Sequence, residues 1–303
     1  MRKNLSILLL MFAFGLCQAQ TFRIVSYNTE NLFDTINDPL TNDDDFTPHG
    51  SKQWTSFRYW HKLQHISQII VNTGEWQQPA LVALIEIEND TCLRDLCQRS
   101  TLRKFKYKYL QHDSPDPRGI DVALLYDPEQ FQLLDKQFIP IDTLRTREIL
   151  YAKGLIFKID TLHTIVCHAP SQLGGQDAKE RRKIVFQRIN QLTDSILQKD
   201  STAQIVLMGD FNDSPNHISP HITSLTNLML QFNDTQGTYC YQEKWTCLDQ
   251  FLVSTQLTNH TQAKIFKADW LIKNDKPRRT YQHIFYDHDG YSDHLPIVLD
   301  IKQ

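Results

Sequence analysis

Past residue 16 the chain has no apolar run long enough to cross a bilayer, no internal repeat, no low-complexity tract and no Pro/Gly/Ser-rich linker. These absences exclude a polytopic membrane protein, a repeat array and a pair of flexibly tethered domains. An excess of positive charge is also missing, since 32 Lys and Arg face 35 Asp and Glu for a formal charge of -3. A generic basic nucleic-acid binder is therefore disfavoured, although a local basic patch or a metal ion would still offset phosphate charge at a site. Cysteines are few, six in all, and none has zinc-ligand spacing.

What remains is an ordinary globular composition: 303 residues, 41% hydrophobic and 22% charged. The first nineteen residues differ in kind. Arg2 and Lys3 precede an apolar run from Leu5 to Leu16, and Cys17-Gln18-Ala19 supplies small residues for signal-peptidase cleavage after Ala19. A lipid anchor at Cys17 would need a small residue before it, and Leu16 is not small. We expect residues 1–19 to be a signal peptide and residues 20–303 to form one domain, soluble and monomeric, without a stable membrane anchor, in the periplasm or outside the cell. Loss of Arg2 and Lys3 leaves 30 basic against 35 acidic residues, a formal charge of -5. Five cysteines stay behind, an odd number; Cys92 with Cys97 and Cys240 with Cys247 are close enough to close small loops in an oxidising compartment.

Eight short runs have strand character: residues 22–28, 80–86, 120–126, 154–159, 163–168, 204–209, 248–253 and 296–301. Most are nearly continuous in apolar residues, as in sheets covered on both faces. Helical periodicity appears at 55–72, where Phe57, Trp60, Leu63, Ile66 and Ile70 share a face, and at 178–198, through Val185, Ile189, Leu192 and Ile196. The mixture predicts a layered α/β or α+β domain. Residues 34–53 form a polar insertion; its NDDD stretch, 42–45, lacks EF-hand spacing and reads as a solvated loop.

Polar residues collect at the ends of these strands. The first ends in Asn28, the second in Glu86 and the fifth in His168; the sixth runs into Asp210 and Asn212, the seventh opens with Asp249, and Asp293-His294 stands before the last. A sheet fixes such residues while its edge leaves them open to a ligand. Contiguous Ser292, Asp293 and His294 cannot form a nucleophile-base-acid relay, because successive side chains on an extended chain point to opposite faces. Glu86, Asp293 and the amide oxygen of Asn28 instead make a hard-oxygen set suited to Mg2+ or Mn2+. His168, His294 and Asn212 are able to donate to phosphate oxygens, Asp210 to orient or deprotonate water, and Asp249 to hold His294 in one tautomer and favour its charged form. These are the parts of metal-assisted phosphodiester hydrolysis.

The segments SYNTENLFD (26–34), LIEIEN (84–89), RGIDVALLY (118–126), CHAPSQLGG (167–175), MGDFNDSP (208–215), LDQFLVS (248–254) and GYSDHLP (290–296) occur in the order of the endonuclease/exonuclease/phosphatase superfamily, which the chain resembles over its whole mature length. The resemblance implies a four-layer α/β/β/α sandwich with two facing mixed sheets and a site at one edge. It makes Glu86 the principal metal ligand with Asn28 and Asp293 assisting, Asp210 and Asn212 the water-orienting and phosphate-contacting pair, His168 a phosphate contact, and Asp249 with His294 an acid-imidazole couple. Asp293 would then face the metal and His294 the phosphate, which requires a bend between them. HAPS (168–171) is similar to the corresponding stretch of secreted pancreatic-type deoxyribonucleases.

Weaker signals are weighed beside these. Arg118 is a candidate phosphate contact, whereas Arg147 reads as a strand-end ion pair, Arg278 and Arg279 as a solvated loop in preference to a basic rim beside Tyr281, and His61 with His65 as a packed pair lacking a third zinc ligand. Gly174-Gly175 is a loop next to His168, not a phosphate cradle. The expected function is an exported divalent-metal-dependent phosphodiesterase, a nuclease acting on DNA or RNA. The alternatives are a sphingomyelinase-like phospholipid phosphodiesterase, an inositol-phosphate phosphatase, and, from another class, a non-catalytic binding module.

Overall fold

The computed structural model describes residues 21–232, 236–282 and 285–302; residues 1–19, the expected signal peptide, lie outside these. Two six-stranded sheets dominate. One runs in the order β13 (Thr261–Ile265), β18 (Ile297–Lys302), β1 (Thr21–Leu32), β2 (Leu81–Ile87), β4 (Asp121–Tyr126), β3 (Lys108–Leu110). The other runs β5 (Phe131–Ile139), β6 (Ile149–Ile156), β7 (Asp160–His168), β8 (Gln204–Asp210), β12 (Asp249–Val253), β9 (Thr226–Asn227). Each is mixed: β1 and β2 are parallel, as are β7 and β8, and the remaining pairs are antiparallel. Short hairpins β10 (Tyr239–Tyr241) with β11 (Lys244–Thr246), β14 (Ile272–Lys273) with β15 (Lys276–Pro277), and β16 (Tyr281–Gln282) with β17 (Phe285–Tyr286) complete the strands.

Period-two alternation explains the layering. On β1, Ile24 points between the sheets and Val25 outward; on β2, Ala83 and Val82 do the same. The inner core joins Phe22, Leu81 and Leu124 of the first sheet to Leu150, Val166 and Phe251 of the second. Outside the first sheet lie α1 (Ser56–Gly74) and α2 (Asp90–Arg99), with Leu63, Ile66, Ile70 and Leu93 packed on Tyr27 and Leu84. Outside the second, α3 (Gly175–Lys199) presents Val185, Phe186 and Ile189 to Ile165 and Leu207. With each fully buried aliphatic or aromatic side chain contributing roughly 1.5–3 kcal/mol, these three interlayer cores hold the expected α/β/β/α sandwich together. Among the described residues no helix is long and apolar enough to cross a membrane.

Several expectations change in detail. The strand expected at 154–159 spans 149–156, because Phe157 and Lys158 turn the chain with φ of 52° and 66°. Phe57 and Trp60 are exposed, so the buried face of α1 is instead Tyr59, Lys62, Leu63, Ile66 and Ile70. All five cysteines from Cys92 onward are free. Cys92 and Cys97 lie five residues apart on α2, a rise of roughly 7.5 Å along the axis, beyond the roughly 7 Å between Cα atoms that a disulfide tolerates. The insertion 34–53 is anchored, not merely solvated: Phe46 stacks on Phe33 and the Trp54 indole N–H donates to the Phe33 carbonyl at 2.8 Å.

Candidate active site

The second sheet sets three polar residues in one row. Asp210, the last residue of β8, pairs with His168 on β7 and with Asp249 on β12, so the three side chains stand abreast on one face. The backbone there requires glycine at 209. Its φ is +136°, and a Cβ would stand 1.9 Å from the Cys167 carbonyl oxygen of the neighbouring strand. Asn212 adopts a left-handed φ of 50°; its N–H donates to Asp210 Oδ1 at 2.8 Å and its side-chain amide to the Ala169 carbonyl at 3.1 Å.

The first sheet contributes from adjacent strands. Asn28 on β1 donates Nδ2 to Asp210 Oδ2 at 3.0 Å and accepts the Glu30 N–H on Oδ1 at 2.9 Å. Glu86 on β2 sits at a bulge with a left-handed φ of 68°; strain of this kind in a non-glycine residue persists where the surrounding structure over-determines it. Its Oε2 accepts the Asn31 N–H at 2.9 Å, and its Oε1 faces His168 Nε2 at 3.9 Å. Asp293 and His294 lie before β18 and diverge. The Ser292 hydroxyl donates to the Asn28 carbonyl at 2.8 Å and accepts the His294 N–H at 3.0 Å, which bends the chain. Asp293 then turns to the first sheet's side and His294 across to the second.

His294 Nδ1 lies 2.7 Å from Asp249 Oδ2, both groups buried, and its Nε2 is 3.9 Å from Asp210 Oδ2. Burial alone would lower the His294 pKa; the carboxylates of Asp249 and Asp210 outweigh it and raise it well above the ordinary imidazole value. His168 goes the other way: burial, helped by the charges of Arg147 and Arg118, holds it well below that value, so the ring is neutral. Its Nε2 is 3.7 Å from Asp210 Oδ2, and its buried Nδ1 has no hydrogen-bond partner. Burial pushes the Asp210 carboxyl up to about 6, against the pull of charged His294. Oδ2 of Asp210 thus lies beside one charged and one neutral imidazole, both beyond hydrogen-bond length.

Two cation sets present themselves. Asp210, Asp249 and His294 have donor atoms within 4.8 Å of one another, but His294 and Asp249 already satisfy each other, and a cation there would compete with the imidazolium proton. The other set is the hard oxygens of Glu86, Asp293 and Asn28, the donor type a divalent ion takes, with Asn28 Oδ1 accepting the Glu30 N–H and Asp293 Oδ2 facing Arg279. Glu86 Oε1 and Asp293 Oδ1 accept no hydrogen bond from the described residues, and both carboxylates are partly exposed while Asp210 and Asp249 are not.

Of the remaining candidates, Arg118 is half-exposed, with its N–H on Asp116 Oδ1 and its charge felt at His168. Arg147 is buried and committed, Nη1 to Asp116 at 2.8 Å and Nη2 to the Ala169 carbonyl at 2.9 Å, which fixes the loop after His168. His65 stacks on Tyr291 and its Nδ1 lies 2.6 Å from the Gly290 carbonyl; His61 touches Tyr286, so the pair packs as expected. Arg279 is not a solvated loop residue. Its guanidinium binds Glu30 Oε1 through Nε at 2.9 Å and Nη2 at 2.8 Å, and reaches Asp293 Oδ2 at 3.2 Å. Behind it, buried Lys62 on α1 donates to the Thr280 hydroxyl at 2.7 Å and the Tyr291 carbonyl at 2.8 Å. Sequence reasoning missed Glu30 and Lys62 and set Arg279 aside as a loop residue. A lysine falling on the apolar stripe of a helix was the available signal.

The profile of the Endonuclease/Exonuclease/phosphatase family matches residues 23–303. No curated protein sequence matches the chain. Among solved structures, truncated Caenorhabditis elegans TDP2 superposes with a TM-score of 0.64 at 14% identity, covering 93% of this chain and 98% of that one. D. rerio TDP2 complexed with single strand DNA product gives 0.59 at 14% identity, with 93% and 99% covered. The Bacteroides thetaiotaomicron VPI-5482 mannosyl-6-phosphatase Bt3783 gives 0.59 at 14%, with 92% and 98% covered. At such identities the likeness is one of fold.

Proposed function

Because the chain belongs to the endonuclease/exonuclease/phosphatase family, whose members are hydrolases of phosphate esters, we propose that it is an exported, divalent-metal-dependent phosphodiesterase that cleaves nucleic acid. The observation that carries this reading is the placement of Asp210. Its buried Oδ2, bonded to the Asn28 amide, lies 3.7 Å and 3.9 Å from the Nε2 atoms of His168 and His294, with partly exposed Glu86 on the facing sheet. A carboxyl of raised pKa between two imidazoles of opposite tendency is suited to take a proton from water while a charged neighbour holds the phosphate.

In this reading Glu86, Asn28 and Asp293 hold Mg2+ or Mn2+, which when bound supplies charge neutralisation at the phosphate. Asp210 orients and deprotonates the attacking water. His294, kept protonated by Asp249, donates to a non-bridging phosphate oxygen as negative charge develops; His168 donates from its neutral ring, and Arg118 contacts a phosphate from the rim. The Asn212 amide, placed by its left-handed backbone, adds a further donor once it turns from the Ala169 carbonyl. The TDP2 structure with a DNA product supports nucleic acid as the substrate class.

A second reading, a small phosphate ester as substrate, is favoured by the fold likeness to the mannosyl-6-phosphatase and by the acidic formal charge. Purified protein incubated with plasmid DNA, RNA and hexose phosphates, with Mg2+, Mn2+ or EDTA, separates the two. Cutting of either polymer supports the first, and phosphate release from hexose phosphate alone supports the second. No turnover of any ester in any divalent metal would defeat both.

A further inference from the structure

We propose that Arg279 is a substrate contact, binding a non-bridging oxygen of a nucleic-acid phosphate, and that buried Glu30 is the positioning residue that aims it. The inference rests on the nucleic-acid reading above and extends its phosphate-binding set to a residue on the opposite side of the site from Arg118.

Arg279 is held at its Nε and Nη2 atoms by two carboxylates, Glu30 and, at 3.2 Å, Asp293 Oδ2. Its Nε and Nη2 both bind one oxygen of Glu30, while the described residues give Nη1 no partner, and the side chain is about half exposed. Glu30 itself is 2% exposed, holds a left-handed φ of 54°, and uses its other oxygen to accept the Thr280 N–H at 2.7 Å. The backbone under the arginine is clamped as well. Gly290 lies so close that a Cβ there would meet the Arg279 carbonyl oxygen at 2.3 Å, and the Tyr291 N–H donates to the Arg278 carbonyl at 2.6 Å. Lys62 fastens the same segment through the Thr280 hydroxyl and the Tyr291 carbonyl. A strained, buried carboxylate and a buried lysine are costly devices for a surface ion pair that contributes little by itself. They make sense if the product is a fixed guanidinium whose Nη1 is left to donate to a phosphate oxygen.

Position supports the assignment. Arg279 Nη2 reaches Asp293 Oδ2 at 3.2 Å, and Asp293 adjoins His294, whose Nε2 is 3.9 Å from Asp210 Oδ2, so the guanidinium stands beside the residues placed at the phosphate.

The test is binding of a fluorescein-labelled oligothymidylate followed by anisotropy in EDTA, across a potassium chloride series, for wild type, Arg279→Met, Arg279→Lys and Glu30→Gln. Arg279→Met is expected to weaken binding roughly tenfold to a hundredfold and to lower the slope of log affinity against log salt by about 0.7. Arg279→Lys should recover the slope but only part of the affinity. Glu30→Gln gives opposed outcomes: if Glu30 were only a negative charge near the cleft, its removal would tighten binding, whereas a positioning role makes it weaker. Unchanged affinity and slope in Arg279→Met, or tighter binding in Glu30→Gln, would overturn the proposal. Should the wild type neither bind nor cut nucleic acid, that substrate reading falls. Calorimetry with inorganic phosphate then decides the contact itself, since Arg279→Met must still weaken phosphate at least tenfold for it to stand.

Discussion

Replacing Asp249 with Asn probes the acid-imidazole couple while keeping its shape. Asp249 is fully buried, its Oδ2 2.7 Å from His294 Nδ1, and its Oδ1 has no hydrogen-bond partner. Asn at this position can still accept the Nδ1 proton but supplies no charge. Without the carboxylate, burial is opposed only by Asp210 and Asp293, so the His294 pKa falls and the ring is a weaker cationic donor at 3.9 Å from Asp210. The lost charge-assisted hydrogen bond should lower stability by about 1.5–3 kcal/mol. Asp249→Ala, which leaves the imidazole without any partner, should cost about 3–5 kcal/mol, the range for breaking a buried ion pair. On activity the expected loss for Asp249→Asn is about 10^2–10^4-fold in kcat, the range for a positioned general acid or base. Urea unfolding and turnover of bis(p-nitrophenyl) phosphate with Mn2+ measure both. An Asp249→Asn protein that folds and retains activity within about threefold of wild type would refute a charged His294 as donor.

Four further outcomes follow from the same geometry. Asp121, buried and pushed up to about 7 by desolvation, has a folded pKa above its unfolded value; its favourable contribution is present below about pH 4 and is lost as pH rises through about 7. Asp121→Asn should therefore match wild type near pH 4 and exceed it by up to about 4 kcal/mol at pH 8 in urea unfolding, and a difference that shrinks with rising pH would contradict this. Gly209→Ala, which drives a methyl into the Cys167 carbonyl at a φ that side chains avoid, should lose about 3 kcal/mol or more, read as a lower thermal midpoint. Glu86→Gln should raise the Mg2+ concentration for half-maximal activity at least about tenfold with little change in unfolding, and an unaltered metal titration would remove Glu86 from the ligand set. Chelation by EDTA should abolish turnover, with recovery on adding Mn2+.

Legibility from sequence followed burial. Strands covered on both faces, such as β2 and β8, read as near-continuous apolar runs and were placed within a residue or so. The edge strand β5 was invisible because five of its nine residues are exposed and mostly polar, and β13 because three of its five residues, Thr261, Gln262 and Lys264, are polar; α2 was too short and too polar to show a period. The residues of the site were legible as types and positions, since each ends or precedes an apolar run. Their mutual arrangement was not. That His168, Asp210 and Asp249 stand abreast is a consequence of strand register, and that Asp293 and His294 diverge depends on one serine hydroxyl. Glu30, Lys62 and Arg279 come together from β1, α1 and the segment before β16 through contacts more than 200 residues apart, which no local pattern announces.

A metal-dependent site centred on Asp210 that cleaves nucleic acid can be tested with one panel. Duplex DNA, single-stranded DNA, RNA, sphingomyelin, inositol phosphates and hexose phosphates are offered to wild type and Asp210→Ala with Mg2+ or Mn2+. Wild type should cut nucleic acid, and the folded variant should lose at least about 10^2-fold of that activity. Nucleic acid left intact while a lipid or small ester turns over, or an Asp210→Ala protein as active as wild type, would contradict this.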